Sequence, residues 1–195
     1  VEQPRLVIAS HNQGKIKELQ EVLGERWQIT SQADLGVSEV AETGLTFIEN
    51  ALIKARHACT ATDCASLADD SGLVVPVLGG DPGLRSARYS GEGDKRNNAL
   101  LLKNMAQYSG GQRAAFYIAV IVFLRHADDP TPIIAEGRWS GQIAKAPRGD
   151  GGFGYDPLFI PEGSGRHAAE LTAKEKNRVS HRAKAVHSLI KQLQI

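Results

Sequence analysis

The sequence predicts an α/β fold, and three observations carry that expectation. Arg5 to Ser10 (RLVIAS) is a short apolar segment that breaks at His11-Asn12 and enters a stretch in which Ile16, Leu19, Val22 and Leu23 share one helical face. Phe116 to Leu124 (FYIAVIVFL) is apolar without alternation and rich in β-branched and aromatic residues, as expected of a central strand covered on both faces. From Lys176 to Leu193, the residues Val179, Ala183, Val186, Leu189, Ile190 and Leu193 recur at helical spacing, which predicts a long amphipathic terminal helix.

The other elements follow along the chain. Gly24 closes the first helix, and a second strand is expected near Trp27 to Thr30. Thr46-Phe47-Ile48-Glu49 has the form of a capping box, so a helix should begin at Phe47 and bury Phe47, Ala51, Ala55 and Ala58, with Asn50 and Lys54 one turn apart. Leu67-Ala68 leads into Asp69-Asp70-Ser71-Gly72, which the pattern places at a strand end. Leu73 to Leu78 reads as extended up to the turn-rich Gly79-Gly80-Asp81-Pro82-Gly83. Asn98 to Tyr108 reads as an amphipathic helix, and Ile133 to Trp139 as a strand that forms a long-looped antiparallel pair with the central one. No repeat or linker interrupts residues 1–195, which read as one domain with enough apolar content to bury a core.

With 23 basic and 22 acidic residues the formal net charge is +1, so no global field selects a nucleic acid, an acidic membrane or an anion. Any anion site must therefore be local. Cys59 and Cys64 have neither zinc-pair nor CxxC spacing, which points to reduced thiols and an intracellular setting. The longest apolar run falls far short of the ~20 residues that span a bilayer, and no charged leader precedes a long apolar stretch, so the chain reads as cytoplasmic.

Five segments could carry chemistry, and each has a plainer reading. Asp69-Asp70-Ser71-Gly72 offers carboxylates for Mg²⁺ or for a proton from water, plus a hydroxyl and a close backbone approach to phosphate; it also fits a turn with solvated acids. Side chains alternate along an extended segment, so Asp69 and Asp70 should diverge. Ser10-His11-Asn12-Gln13-Gly14-Lys15 sits where a strand meets a helix N-terminus, a place that favours phosphate, although it is no Walker A loop and also fits an ordinary capped helix. Glu42, ahead of the capped helix, could share a Mg²⁺ with Asp70 if the fold brings them together, or be a solvated loop acid. Gly151 to Pro157 combines glycines with Phe153, Tyr155 and Asp156: Phe153 offers a stacking face and Asp156 can accept from a ring N–H, unless the loop is structural and Phe153 is tucked into the core. Lys176, His181 and Arg182 can donate to a carbonyl or phosphate, or belong to a solvated helix face.

Together these segments closely resemble the inosine/xanthosine triphosphate pyrophosphatase family over nearly the whole chain. The resemblance rests on Ser10-x-Asn12-x-x-Lys15, Glu42-Thr43-Gly44 with Phe47, Asn50, Ala51, Lys54 and Ala55, and Asp69-Asp70-Ser71-Gly72-Leu73. It continues through Pro82-Gly83-x-x-Ser86-Ala87-Arg88-Tyr89, Gly152-Phe153-Gly154-Tyr155-Asp156-Pro157 and Ser180-His181-Arg182. It implies an elongated mixed β-sheet with flanking helices, two lobes with the active site in the cleft between them, and a homodimer. It also implies Mg²⁺-dependent hydrolysis of ITP, dITP and XTP to the monophosphate and pyrophosphate by water attack at the α-phosphorus.

By the same resemblance, Ser10 to Lys15 and Lys54 hold the triphosphate with Ser71 facing phosphate, and Glu42 and Asp70 hold Mg²⁺. Asp70 is similar to the residue that takes the proton from water. Phe153 stacks on the purine within the Phe153-Gly154-Tyr155-Asp156 loop, and Lys176, His181 and Arg182 donate near the 6-oxo group. A nucleotide or single-stranded nucleic-acid binding module is the alternative from another class, and near-neutral charge counts against it. A pyrophosphatase of the same fold acting on modified pyrimidines is the third.

Overall fold

The computed structural model describes residues 3–11, 16–17, 19–20 and 23–193. Six strands form one sheet: β1 (Arg5–Ile8), β2 (Gln28–Ser31), β3 (Ala65–Val74), β4 (Ala114–Leu124), β5 (Ile133–Ile143) and β6 (Phe159–Pro161), in the order β2-β1-β3-β4-β5-β6. The sheet is mixed. β1 pairs parallel with β2 and β3, through Leu6 opposite Ile29 and Ala65, while β5 pairs antiparallel with β6. Helices α1 (Phe47–Thr62), α2 (Asp94–Asn104), α3 (Ala173–Val179) and α4 (His181–Leu193) flank it.

By compactness the chain divides into two units, Val1–Asp70 with Val120–Glu136 and Ala185–Ile195, and Ser71–Ala119 with Gly137–Lys184. The first has a core of Leu6, Val7, Ile8, Leu67, Ile121 and Leu189, with the Trp27 ring set edge-on to Phe123 at 5.5 Å. The second packs Leu73, Leu101, Met105, Tyr117, Trp139 and Phe159, with Tyr117 edge-on to Phe159 at 4.9 Å. Every residue from Tyr117 to Leu124 in β4 is buried, so this strand is covered on both faces. β5 is its neighbour and mostly alternates buried with exposed positions, which leaves one face toward solvent.

Several sequence expectations change in the structure. β3 runs straight through Asp69-Asp70-Ser71-Gly72, so the two acids lie inside a ten-residue strand rather than at its end, and Pro76–Leu78 forms a 3₁₀ turn. Sheet pairing overrides the turn-forming character of those four residues. Phe47 is only half-buried, and the buried stripe of α1 is Asn50, Ala51, Ala55, Ala58 and Cys59. α2 begins at Asp94, four residues earlier than the apolar pattern suggested.

The terminal helix is two helices. Ser180 is extended (φ −67°, ψ 161°) and its Oγ accepts from Ala183 N at 3.3 Å, so it closes α3 and caps α4. Val179, expected to face inward, precedes that break and is exposed. Ile16, Leu19 and Leu23 are helical and buried as their spacing predicts; Val22 lies outside the described residues.

Candidate active site

In the first unit three carboxylates gather around one ammonium. α1 starts at Thr46, whose Oγ1 accepts from Glu49 N at 3.2 Å, and this start sets Asn50 and Lys54 on successive turns facing β3. Lys54 Nζ lies 2.8 Å from Glu42 Oε1 and 3.5 Å from Asp70 Oδ1. Glu42 and Asp70, 28 residues apart in the chain, therefore meet on the same cation. Asp69 is buried and acts on both Lys54 and Asp70 through its charge.

The three acids act on one another as well as on the lysine. Burial pushes the Asp70 carboxyl above its ordinary value; Lys54 opposes this, Glu42 and Asp69 reinforce it, and the Asn50 side chain opposes it by a hydrogen bond. Burial alone would lower the pKa of Lys54, yet Asp70, Glu42 and Asp69 outweigh burial and raise it. Lys54 thus feels all three acids at once. Such a cluster suits a divalent cation, and two converging carboxylates are what Mg²⁺ needs when waters and substrate phosphates supply the other oxygens. Among the described residues no group of three or more His, Cys, Asp and Glu is arranged to hold a metal ion. Lys54, expected to grip phosphate, is engaged by the acids. Ser71, next along β3, is half-buried.

The N-terminal segment is seen in part. Ser10 lies two residues past the end of β1, its N–H donating to Ile8 O at 2.9 Å, and the exposed His11 has Nδ1 2.9 Å from Glu39 Oε1. Asn12, Gln13, Gly14 and Lys15 lie outside the described residues.

In the second unit the glycine loop presents one ring. Phe153 is 58% exposed, which removes the reading that it is tucked into the core. Lys176 Nζ lies 4.2 Å from the centroid of this ring and Arg182 Cζ 5.9 Å, both within cation–π reach. Gly154 is clamped by the first turns of α2: its N–H donates to Asp94 Oδ2 at 2.8 Å and its carbonyl accepts from Asn98 Nδ2 at 2.8 Å.

Asp156 and Tyr155 have different places from those expected. Asp156 is 1% exposed beneath the loop, where its carboxylate accepts from Phe153 N at 2.9 Å, from the Tyr117 hydroxyl at 3.5 Å and from the Lys176 ammonium. With three protein donors on it, this carboxylate shapes the loop. A Cβ on Gly152 (φ +72°) would sit 2.1 Å from Asp156 Oδ2, so only glycine lets the chain wrap the acid so closely. Tyr155 is buried, its hydroxyl donates to Ser86 O at 2.7 Å, and burial raises its pKa. His181 is also buried, stacked on Tyr117 at 4.8 Å and 11°.

Sequence reasoning gave no role to Asn50, Tyr117, Ser86, Asp94 or Asn98. A signal existed for two of these groups: Asn50 is a polar residue in an otherwise alanine-rich stripe, and Asp94 and Asn98 have i,i+4 spacing at a helix start.

Comparison with known proteins places this arrangement among relatives. A family model described as the Ham1 family matches residues 6–192. A dITP/XTP pyrophosphatase of Xylella fastidiosa strain Temecula1 is 55% identical over 188 residues, covering 95% of this chain and 94% of that protein. One from Escherichia coli K12 is 50% identical over 189 residues, 95% and 96% of the two chains. A HAM1 protein structure from Coxiella burnetii superposes with a TM-score of 0.94 at 40% identity, covering 98% and 99%. A nucleoside-triphosphatase described as a dITP/XTP pyrophosphatase from Mycobacterium abscessus gives 0.82 at 42%, covering 95% and 98%.

Proposed function

The chain belongs to the Ham1 family, and on that premise we propose that it hydrolyses non-standard purine nucleoside triphosphates, dITP, ITP and XTP, to the monophosphate and pyrophosphate. The observation that carries this reading is the convergence of Glu42 and Asp70 on Lys54, with Asp69 adding its charge to theirs. Glu42 and Asp70 would hold Mg²⁺, which when bound neutralises charge on the triphosphate and on the departing pyrophosphate. Asp70 accepts the proton of the attacking water. The water oxygen bonds to the α-phosphorus as the bond from that phosphorus to the bridging oxygen breaks, and pyrophosphate leaves with the bridging oxygen and its electron pair.

Lys54 pairs with Glu42 and Asp70 and is a cation offered to the triphosphate. Ser10, Asn12, Lys15 and Ser71 are the remaining phosphate contacts of this reading. The exposed Phe153 ring stacks on the purine, worth ~1–3 kcal/mol per base in nucleic-acid systems. Lys176 and Arg182, beside that ring, donate toward a 6-oxo group, where an adenine amino group would leave them unpaired. Tyr155, Asp156 and His181 act by holding this surface in place from below.

The protein works on free nucleotides, as a homodimer in the cytoplasm, with no role for nucleic acid or membrane. Near-neutral charge supports the exclusion of nucleic acid; among the described residues no helix is long and apolar enough to cross a membrane. Light scattering tests the dimer. The reaction is tested by incubating the protein with Mg²⁺ and dITP in ¹⁸O-labelled water. The label should appear in the monophosphate with pyrophosphate as co-product; release of orthophosphate alone refutes the reading. Faster turnover of modified pyrimidine triphosphates than of dITP, ITP or XTP would overturn the substrate class.

A further inference from the structure

Asn50 lies in the apolar stripe of α1, 2% exposed, one turn before Lys54. A buried amide there needs partners at both ends, and the two ends differ chemically. Oδ1 accepts the Gly44 N–H at 2.8 Å. The same side chain lies beside the Asp70 carboxylate and favours its ionised form, and since an ionised carboxylate only accepts, the end directed at it is Nδ2. Rotating the amide by half a turn would set N–H against N–H at Gly44 and oxygen against oxygen at Asp70. Both neighbours therefore demand one orientation.

Gly44 follows Glu42 by two residues, and its lack of a side chain lets that segment close on the helix. A Cβ on Gly44 would lie 2.5 Å from Glu49 Cβ and 2.7 Å from Asn50 Oδ1. Leu45 N adds a tether to Glu49 Oε2 at 2.8 Å. Through Asn50 the loop that carries Glu42 and the strand that carries Asp70 are thus fastened to a single amide.

We propose that Asn50 is a positioning residue that fixes Glu42 and Asp70 relative to one another for triphosphate hydrolysis. This rests on the proposed function. A purely structural Asn50 would contribute folding energy alone; a positioning Asn50 sets how well the two carboxylates meet the reacting phosphate. Misplacement of a reacting group by about 1 Å can cost roughly 100-fold in rate.

The test compares Asn50→Asp with Asn50→Ala. Asn50→Asp keeps the acceptor for Gly44 but loses the donor to Asp70, while Asn50→Ala loses both. In metal-free protein, amide hydrogen exchange at Gly44 should stay slow in Asn50→Asp and become fast in Asn50→Ala. With Mg²⁺ and dITP, kcat should fall roughly 100-fold in both, with KM within about threefold of wild type. The proposal is overturned if folded Asn50→Asp keeps kcat within about threefold of wild type, if the loss of kcat merely tracks the loss of folded protein, or if Gly44 exchange is unchanged in Asn50→Ala. Wild-type protein that does not turn over dITP defeats the function reading instead, and the Gly44 exchange result still decides whether Asn50 holds the loop.

Discussion

Replacing Asp156 with Asn probes how the base-facing loop is held. Asp156 and Lys176 form an ion pair whose side chains are 2% and 13% exposed, and the same carboxylate accepts from Phe153 N and the Tyr117 hydroxyl. The site thus presents three donors. An Asn side chain can keep its oxygen toward Phe153 N and Lys176 and turn its amide N–H toward the Tyr117 hydroxyl, which can accept, so the main loss is the counter-charge of the lysine. Breaking a buried pair costs about 3–5 kcal/mol, and because Lys176 keeps some access to water the low end, about 3 kcal/mol, is expected. That corresponds to a fall of roughly 6–12 °C in Tm for a chain of this length.

Urea unfolding at 25 °C of wild type, Asp156→Asn, Lys176→Met and the double variant measures the effect. Coupling between the two sites should exceed about 1.5 kcal/mol. KM for dITP should rise roughly tenfold as Phe153 loses its anchored turn, a part of the ~1–3 kcal/mol of stacking. A stability loss below about 1 kcal/mol, or additive single variants, would refute the argument that this buried carboxylate organises the loop.

Three further outcomes follow from the same geometry. In metal-free protein Asp70 has a raised pKa, so its protonated form stabilises the native state below the unfolded value of 3.8, and that contribution is lost as pH rises through the folded value. Asp70→Asn should therefore abolish dITP turnover while its stability, followed by urea unfolding in EDTA, declines less than wild type between pH 4 and the neutral range (about pH 7); a steeper decline would contradict the shift. Phe153→Ala should raise KM for dITP by about tenfold with little change in urea midpoint, since the ring is exposed; an unchanged KM would place base stacking elsewhere. Arg113→Met should cost roughly 4 kcal/mol or more, because the buried guanidinium satisfies the carbonyls of Met105, Tyr108, Ile143 and Ala144 at 2.7–3.1 Å; a loss under about 1 kcal/mol by urea unfolding would mean those carbonyls find other partners.

What could be read from the chain was local. The start of α1 follows from Thr46 and Glu49, and the double burial of β4 from an apolar run without alternation. The acids, the lysine and the glycine loop stand out because their residue types and spacings are unusual within a few positions. The same locality misled where tertiary context decided. Asp69-Asp70-Ser71-Gly72 looks like a strand end by composition, yet β3 continues through it. Lys176 to Leu193 has one helical period, yet the Ser180 hydroxyl satisfies Ala183 N and breaks it in two.

By itself, then, the sequence determined the α/β class, the helix caps, the central strand and the set of residues with chemical potential, all of which depend on neighbours within one or two turns. Only the tertiary structure decided what those residues face. It brings Glu42 and Asp70 onto Lys54, seats Asp156 under Phe153 against Tyr117 and Lys176, and sets Asn50 between Gly44 and Asp70. Charge and hydrogen bonding depend on distance in space, and those partners are separated by up to 39 residues along the chain.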